Sequence, residues 1–165
     1  MKRKDFQART LFICRASIIA ALYIVLTMLA SMLGISSGII QIRFSEMLCI
    51  LPVFTSAAIP GVTIGCLVSN LISGGAIWQD IVFGTLATFL GGLGTYALRK
   101  FKWLAPIPPI FANTVIVPLV LAYGYGFEGG IPYFMLTVFI GEVISVYVFG
   151  MILYHALKNK KDILF

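Results

Sequence analysis

Charge is what this sequence has least of. Of its 165 residues only 11% are charged, and just six are acidic, against 60% that are apolar. That balance excludes a soluble domain, which needs far more polar side chains to cover its surface. Histidine occurs once, as His155, with no second ligand candidate nearby; the spacing favours an interfacial side chain over a metal site. The three cysteines, Cys14, Cys49 and Cys66, stand in or beside apolar runs without metal-ligand spacing. They read as small buried hydrophobes and leave the redox compartment open. No G-x-x-x-x-G-K-[ST] phosphate loop, H-E-x-x-H helix, G-x-S-x-G elbow or Ser/His pair is present. ATP hydrolysis by that loop is excluded, and the chain does not read as an enzyme. No cofactor, metal or nucleic acid is expected of it.

What fills the sequence instead is apolar runs of membrane-crossing length. Hydropathy places helices at about 14–33, 79–98, 107–124 and 131–157. The stretch 44–75 is apolar throughout but interrupted by Pro52 and Pro60-Gly61. It reads either as one irregular crossing or as two short ones meeting near Ala58. The basic N-terminus leads into an apolar segment too long for the ~7–15-residue core of a signal peptide. It therefore reads as a first membrane helix.

Basic residues decide the count. Lys2, Arg3, Lys4, Arg9 and Arg15 precede the first helix, Arg99, Lys100 and Lys102 follow the helix ending near Leu98, and Lys158, Lys160 and Lys161 close the chain; the twelfth is Arg43. Cytoplasmic flanks collect Lys and Arg. Two crossings in 44–75 place eleven of the twelve on the cytoplasmic side; one crossing strands the later clusters outside. The expectation is an all-α membrane protein of six transmembrane helices with both termini cytoplasmic. Its divisions are a basic tail (1–13), a membrane domain (14–157) and a second basic tail (158–165). Trp103, Tyr96 and Tyr154 then fall at the inner interface, and Trp78, Tyr123, Tyr125 and Tyr133 at the outer one, where amphipathic rings settle.

The polar residues left inside this bundle are costly. A carboxylate deep in a bilayer costs roughly 2.5–3.5 kcal/mol on insertion scales, so each needs a partner or a purpose. Glu46, Asp80 and Glu142 lie in helices or at their ends, joined by Asn70 and Asn113. At about 1.5 Å per residue, Glu46, Asp80 and Asn70 come out near the outer mouth, with Glu142 and Asn113 nearer mid-membrane. Together they outline a cup open to the outside. Glu46 and Asp80 also stand in first helical turns, where the positive end of the helix dipole favours an anion, and Arg43 with Glu46 has ion-pair spacing. Glu142 has no such structural excuse. Asp80, Gly84, Ala87, Thr88, Gly91 and Thr95 share a small-residue face, Gly61-x-x-x-Gly65 repeats the theme, and Ala16-x-x-x-Ala20 places a small patch on the first helix.

The stretches "IQIRFSEMLCILPVFTSAAIPGVTIGCLVSNL", "DIVFGTLATFLGGLGTYALRK", "PIPPIFANTVIVPLVLAY" and "IGEVISVYVFGMIL" resemble the QueT family. That family belongs to the S-components of energy-coupling factor (ECF) transporters and takes up queuosine precursors. The resemblance runs from about Ala16 to His155. It implies a substrate-binding subunit in a prokaryotic plasma membrane, working with a transmembrane coupling subunit and two cytoplasmic ATPases. It also implies docking of the coupling subunit at Ala16 and Ala20.

The ligand class the family implies suits the polar residues. A 7-deazaguanine such as queuine or an aminomethyl or cyano precursor offers N1–H and an exocyclic amine on one edge, which a carboxylate can accept side by side. Glu142 is assigned to that edge, Asn70 and Asn113 to the remaining ring groups, and Glu46 or Asp80 to an amine. Phe44, Trp78 or Tyr147 would stack on the ring, and Arg43 would hold Glu46 or close the site. The alternatives are an S-component for another small nutrient such as a B vitamin, a stand-alone proton-coupled carrier, and a membrane scaffold with no ligand.

Overall fold

A computed structural model describes residues 2–35, 41–73, 77–124, 126 and 130–160. Residue 1, parts of the connections at 36–40, 74–76, 125 and 127–129, and the residues from 161 lie outside the described residues. Among the described residues every element is helical, in six successive segments. Three are long and apolar enough to cross a membrane: Asp5–Met32 within the first, Ile107–Gly124, the fifth, and Ile131–Lys160, the sixth.

The first helix runs Lys2–Met32, twelve residues earlier than the hydropathy start at 14. Nothing between 2 and 32 stops it, for the stretch contains neither glycine nor proline. The basic segment expected as a tail is therefore helical. It ends at Gly34, whose φ of 72° is the left-handed conformation that glycine adopts without penalty.

The stretch 44–75 does break in two, but the break lies at 54–57. Phe44–Val53 is a 3-10 helix with Pro52 inside it, and Ala58–Ile72 is the third helix, an α-helix. Pro60 does not break the third helix because it stands in the first turn, where its missing N–H has no intrahelical partner to lose. The fourth helix, Trp78–Ala97, has spanning length but is diluted by its Gly and Thr stripe. Wider π-type turns interrupt the fifth helix at Val120–Gly124, just after Pro118, and the sixth at Val143–Phe149.

Neighbours follow one another around the bundle: first against third, third against fourth, fourth against fifth, fifth against sixth. The 3-10 helix lies inside this arrangement and touches the first, third, fourth and sixth. Close approach depends on small residues. The expected face of the fourth helix is buried at Gly84, Ala87, Thr88, Gly91 and Thr95, with Gly92 beside it. A Cβ on Gly91 would lie 2.7 Å from Pro109 of the fifth helix, and one on Gly61 would lie 2.9 Å from the Ala16 carbonyl. At one end of the bundle Trp103 and His155 have ring centroids 6.3 Å apart. That contact brings the 99–102 basic cluster beside the end of the sixth helix.

Candidate functional site

The polar residues flagged by cost meet around one hollow. Gln41, Arg43 and Glu46 enter from the 3-10 helix and the chain leading into it, and Cys66 from the third helix. The fourth supplies Asp80, Gly84 and Thr88, the fifth Asn113 and Val117, and the sixth Val138 and Glu142. Asn70 is one layer back, donating to Cys66 Sγ at 3.7 Å and facing the Cα of Gly84. Arg43, Glu46, Asp80, Asn113 and Glu142 thus share a cavity, with Asn70 at its wall.

The 3-10 winding explains how residues from one short segment reach it. With three residues per turn, positions i and i+3 eclipse, so Glu46 and Cys49 fall on one edge, while Arg43 reaches the hollow from the extended residue just before the helix. Cys49 Sγ donates to Glu46 Oε2 at 3.3 Å, and the Tyr23 hydroxyl of the first helix donates to Oε1 at 2.6 Å. Tyr23 is 1% exposed and Glu46 2%. Glu46 is therefore a buried wall group, enclosed on its sides by neighbouring helices. The groups that donate hydrogen bonds to its carboxylate are Tyr23 and Cys49, and the Arg43 guanidinium in the same wall acts on it through charge. The backbone N–H of Arg43 donates to Ser145 Oγ at 3.2 Å, in the π-wound turn that follows Glu142.

Glu142 is different. It is 8% exposed, and its Oε2 is a buried oxygen with no hydrogen-bond partner. Asn113 puts its side chain within hydrogen-bonding reach of the same carboxylate. A buried acceptor left open costs on the order of 1–3 kcal/mol, so the fold holds this oxygen ready at some expense. Gly141 makes room beside it: a Cβ there would collide with the Gln41 carbonyl, and Gln41 and Arg43 would be pushed from the wall.

The hollow is small, about 20 Å³, space for about one water molecule. Pockets for small ligands are typically ~300–1,000 Å³, so the helices around it are closed in. Among the described residues no aromatic side chain lines it. Trp78 is 65% exposed, Phe44 packs on Phe149 at 5.9 Å, and Tyr147 packs beside Cys49, Ile110 and Val146. Val117 and Val138 supply the apolar surface instead. Ala16 and Ala20, expected as a docking patch, are buried against the third helix at Gly61 and Gly65; here the patch is an internal helix–helix contact.

Sequence reasoning named five of the six charged or amide lining residues, missing Gln41, and it assigned no site role to Cys66, Val117, Val138 or to Tyr23 behind Glu46. Gly84 and Thr88 it placed on a packing stripe. Tyr23 carried no signal, being one of several hydroxyl residues along the first helix, with its partner 23 positions away.

Comparison with known proteins adds the following. Residues 13–159 match the family described as QueT transporter. The protein named "Queuosine precursor transporter QueT" from Lactococcus lactis subsp. cremoris (strain MG1363) is 40% identical over 97 residues, covering 58% of this chain and 56% of that one. The chain thus matches little more than half the length of this curated relative. No solved structure matches it.

Proposed function

This chain belongs to the QueT transporter family, and from that membership we propose that it captures a queuosine precursor of the 7-deazaguanine type in the hollow around Glu142. The observation that carries the reading is the open, buried Oε2 of Glu142 beside Asn113. A ring edge with two adjacent N–H donors would satisfy that carboxylate, and a flat heterocycle would lie between Val117 and Val138. Asp80 or Glu46 faces the amine of an aminomethyl ligand. Because the hollow now measures about 20 Å³, binding must separate the surrounding helices, and the bound state is more open than this one.

In this proposal the six helical segments are six crossings of a prokaryotic plasma membrane, with both termini in the cytoplasm. The juxtaposition of the 99–102 cluster with the end of the sixth helix, through Trp103 and His155, supports a common side for those charges. The chain acts as the S-component of an ECF-type importer, because it lacks a phosphate loop of its own; a coupling subunit and two ATPases supply the energy. A docking role for Ala16 and Ala20 would require the first and third helices to part, since each alanine is covered by the third.

The test is ligand-induced thermal stabilisation of the purified protein by queuine and by the aminomethyl and cyano 7-deazaguanines, beside a panel of B vitamins. Stabilisation by the deazaguanines alone is expected. Stabilisation only by a vitamin would replace the substrate assignment.

A further inference from the structure

Two carboxylates in the wall of the hollow are held in opposite ways. Glu142 keeps an oxygen open, whereas Glu46 has a donor on each oxygen, Tyr23 on Oε1 and Cys49 on Oε2. A carboxylate with a donor on each oxygen has its direction fixed and fewer lone pairs left for a ligand's N–H. It still projects a fixed charge into a cavity walled by low-dielectric protein, where charges are felt strongly.

The holding groups are themselves fixed. The backbone carbonyl of Tyr23 accepts from Thr27, and Thr27 Oγ1 also lies 2.8 Å from Ser45 Oγ, next to Glu46 in the chain. Gly65 packs directly beneath the Tyr23 ring. The O–H···O distance of 2.6 Å is in the short range of charge-assisted bonds.

We propose that Tyr23, together with Cys49, is a positioning residue that fixes Glu46 as an oriented anion in the wall of the pocket, and that this anion sets a preference for ligands carrying a positive charge. The inference rests on the hollow being the substrate site, as proposed above. Glu142 then reads the ring edge by contact, and Glu46 reads the charge of the substituent by its field.

The experiment compares binding of aminomethyl-7-deazaguanine, a cation, with cyano-7-deazaguanine, which is neutral, by calorimetry on the full-length protein. Tyr23→Phe should weaken the cationic ligand about tenfold and leave the neutral one within about twofold. Glu46→Gln should shift the ratio the same way, and the double variant should go no further than Glu46→Gln alone. Cys49→Ala should give a smaller shift of the same sign, and it decides the matter if Tyr23→Phe does not fold. A purely structural tyrosine would weaken both ligands in parallel, and that result, or an unchanged ratio in Cys49→Ala as well as Tyr23→Phe, overturns the inference alone. A wild-type protein that binds neither ligand overturns the substrate reading and this inference with it.

Discussion

Gly65 of the third helix lies directly against Tyr23 of the first: a Cβ at Gly65 would come within 2.6 Å of the tyrosine Cβ. That spacing leaves no room for any side chain between the helices. Gly65→Ala must push the first helix away, an overpacking that costs about 1–3 kcal/mol. Thermal unfolding of the purified protein should register the loss, and affinity for the cationic ligand should fall with it because the Tyr23–Glu46 bond is stretched. A Gly65→Ala protein with wild-type stability would contradict this packing.

Gly141 and Gly150 offer a matched pair on the sixth helix. A Cβ at Gly141 would run into the Gln41 carbonyl, whereas at Gly150 the nearest atom is 3.5 Å away, an ordinary contact. Gly141→Ala is expected to lose ligand binding by at least tenfold, and Gly150→Ala to stay within about twofold. Equal effects from the two would remove Gln41 and Arg43 from the wall of the site.

Glu142→Gln should separate binding from stability. Affinity for a 7-deazaguanine should drop by about 100-fold, ~2.7 kcal/mol, because the amide puts an N–H donor where the carboxyl group leaves an acceptor open. The ligand-free protein should unfold no earlier than wild type, since a partnerless buried carboxylate oxygen is a cost to the fold. Asn113→Ala should weaken binding too, and far less than additively when combined with Glu142→Gln. Paired calorimetry and thermal melts decide both points.

Cys66 gives a chemical view of the same cavity. It lines the hollow and is buried, while Cys14 is exposed on the first helix. Alkylation followed by mass spectrometry should show Cys14 reacting quickly in all conditions. Cys66 should react slowly, and more slowly still with ligand bound. Protection of Cys14 instead would move the site elsewhere.

Much of this site was legible because charge is so scarce. In a chain with six acids, Glu46, Asp80 and Glu142 stand out by what they cost, and all three line the hollow. The packing face of the fourth helix was legible because small residues recur there at helical period. The helix start at Lys2 was not, because hydropathy measures greasiness and the basic residues before Ala16 form a helix as well as any others. The 3-10 winding was hidden for another reason: it comes from how the segment fits among four neighbours, and no local pattern in FSEMLCILPV distinguishes it from an α-helix. The expectation that Phe44, Trp78 or Tyr147 would face the ligand rested on ring chemistry alone, which does not fix direction. Gln41, Val117 and Val138 are ordinary residues that matter only through where the chain carries them.

The tightly wound segment Phe44–Val53 carries one more implication. Relaxing ten residues from about 2.0 Å to about 1.5 Å of rise each would draw its ends together by about 5 Å and turn Cys49 by about 60° relative to Glu46. The thiol would unscrew from the acid as the segment slackened. Shortening the segment and freeing the acid from its thiol donor are, for this stretch of chain, a single movement.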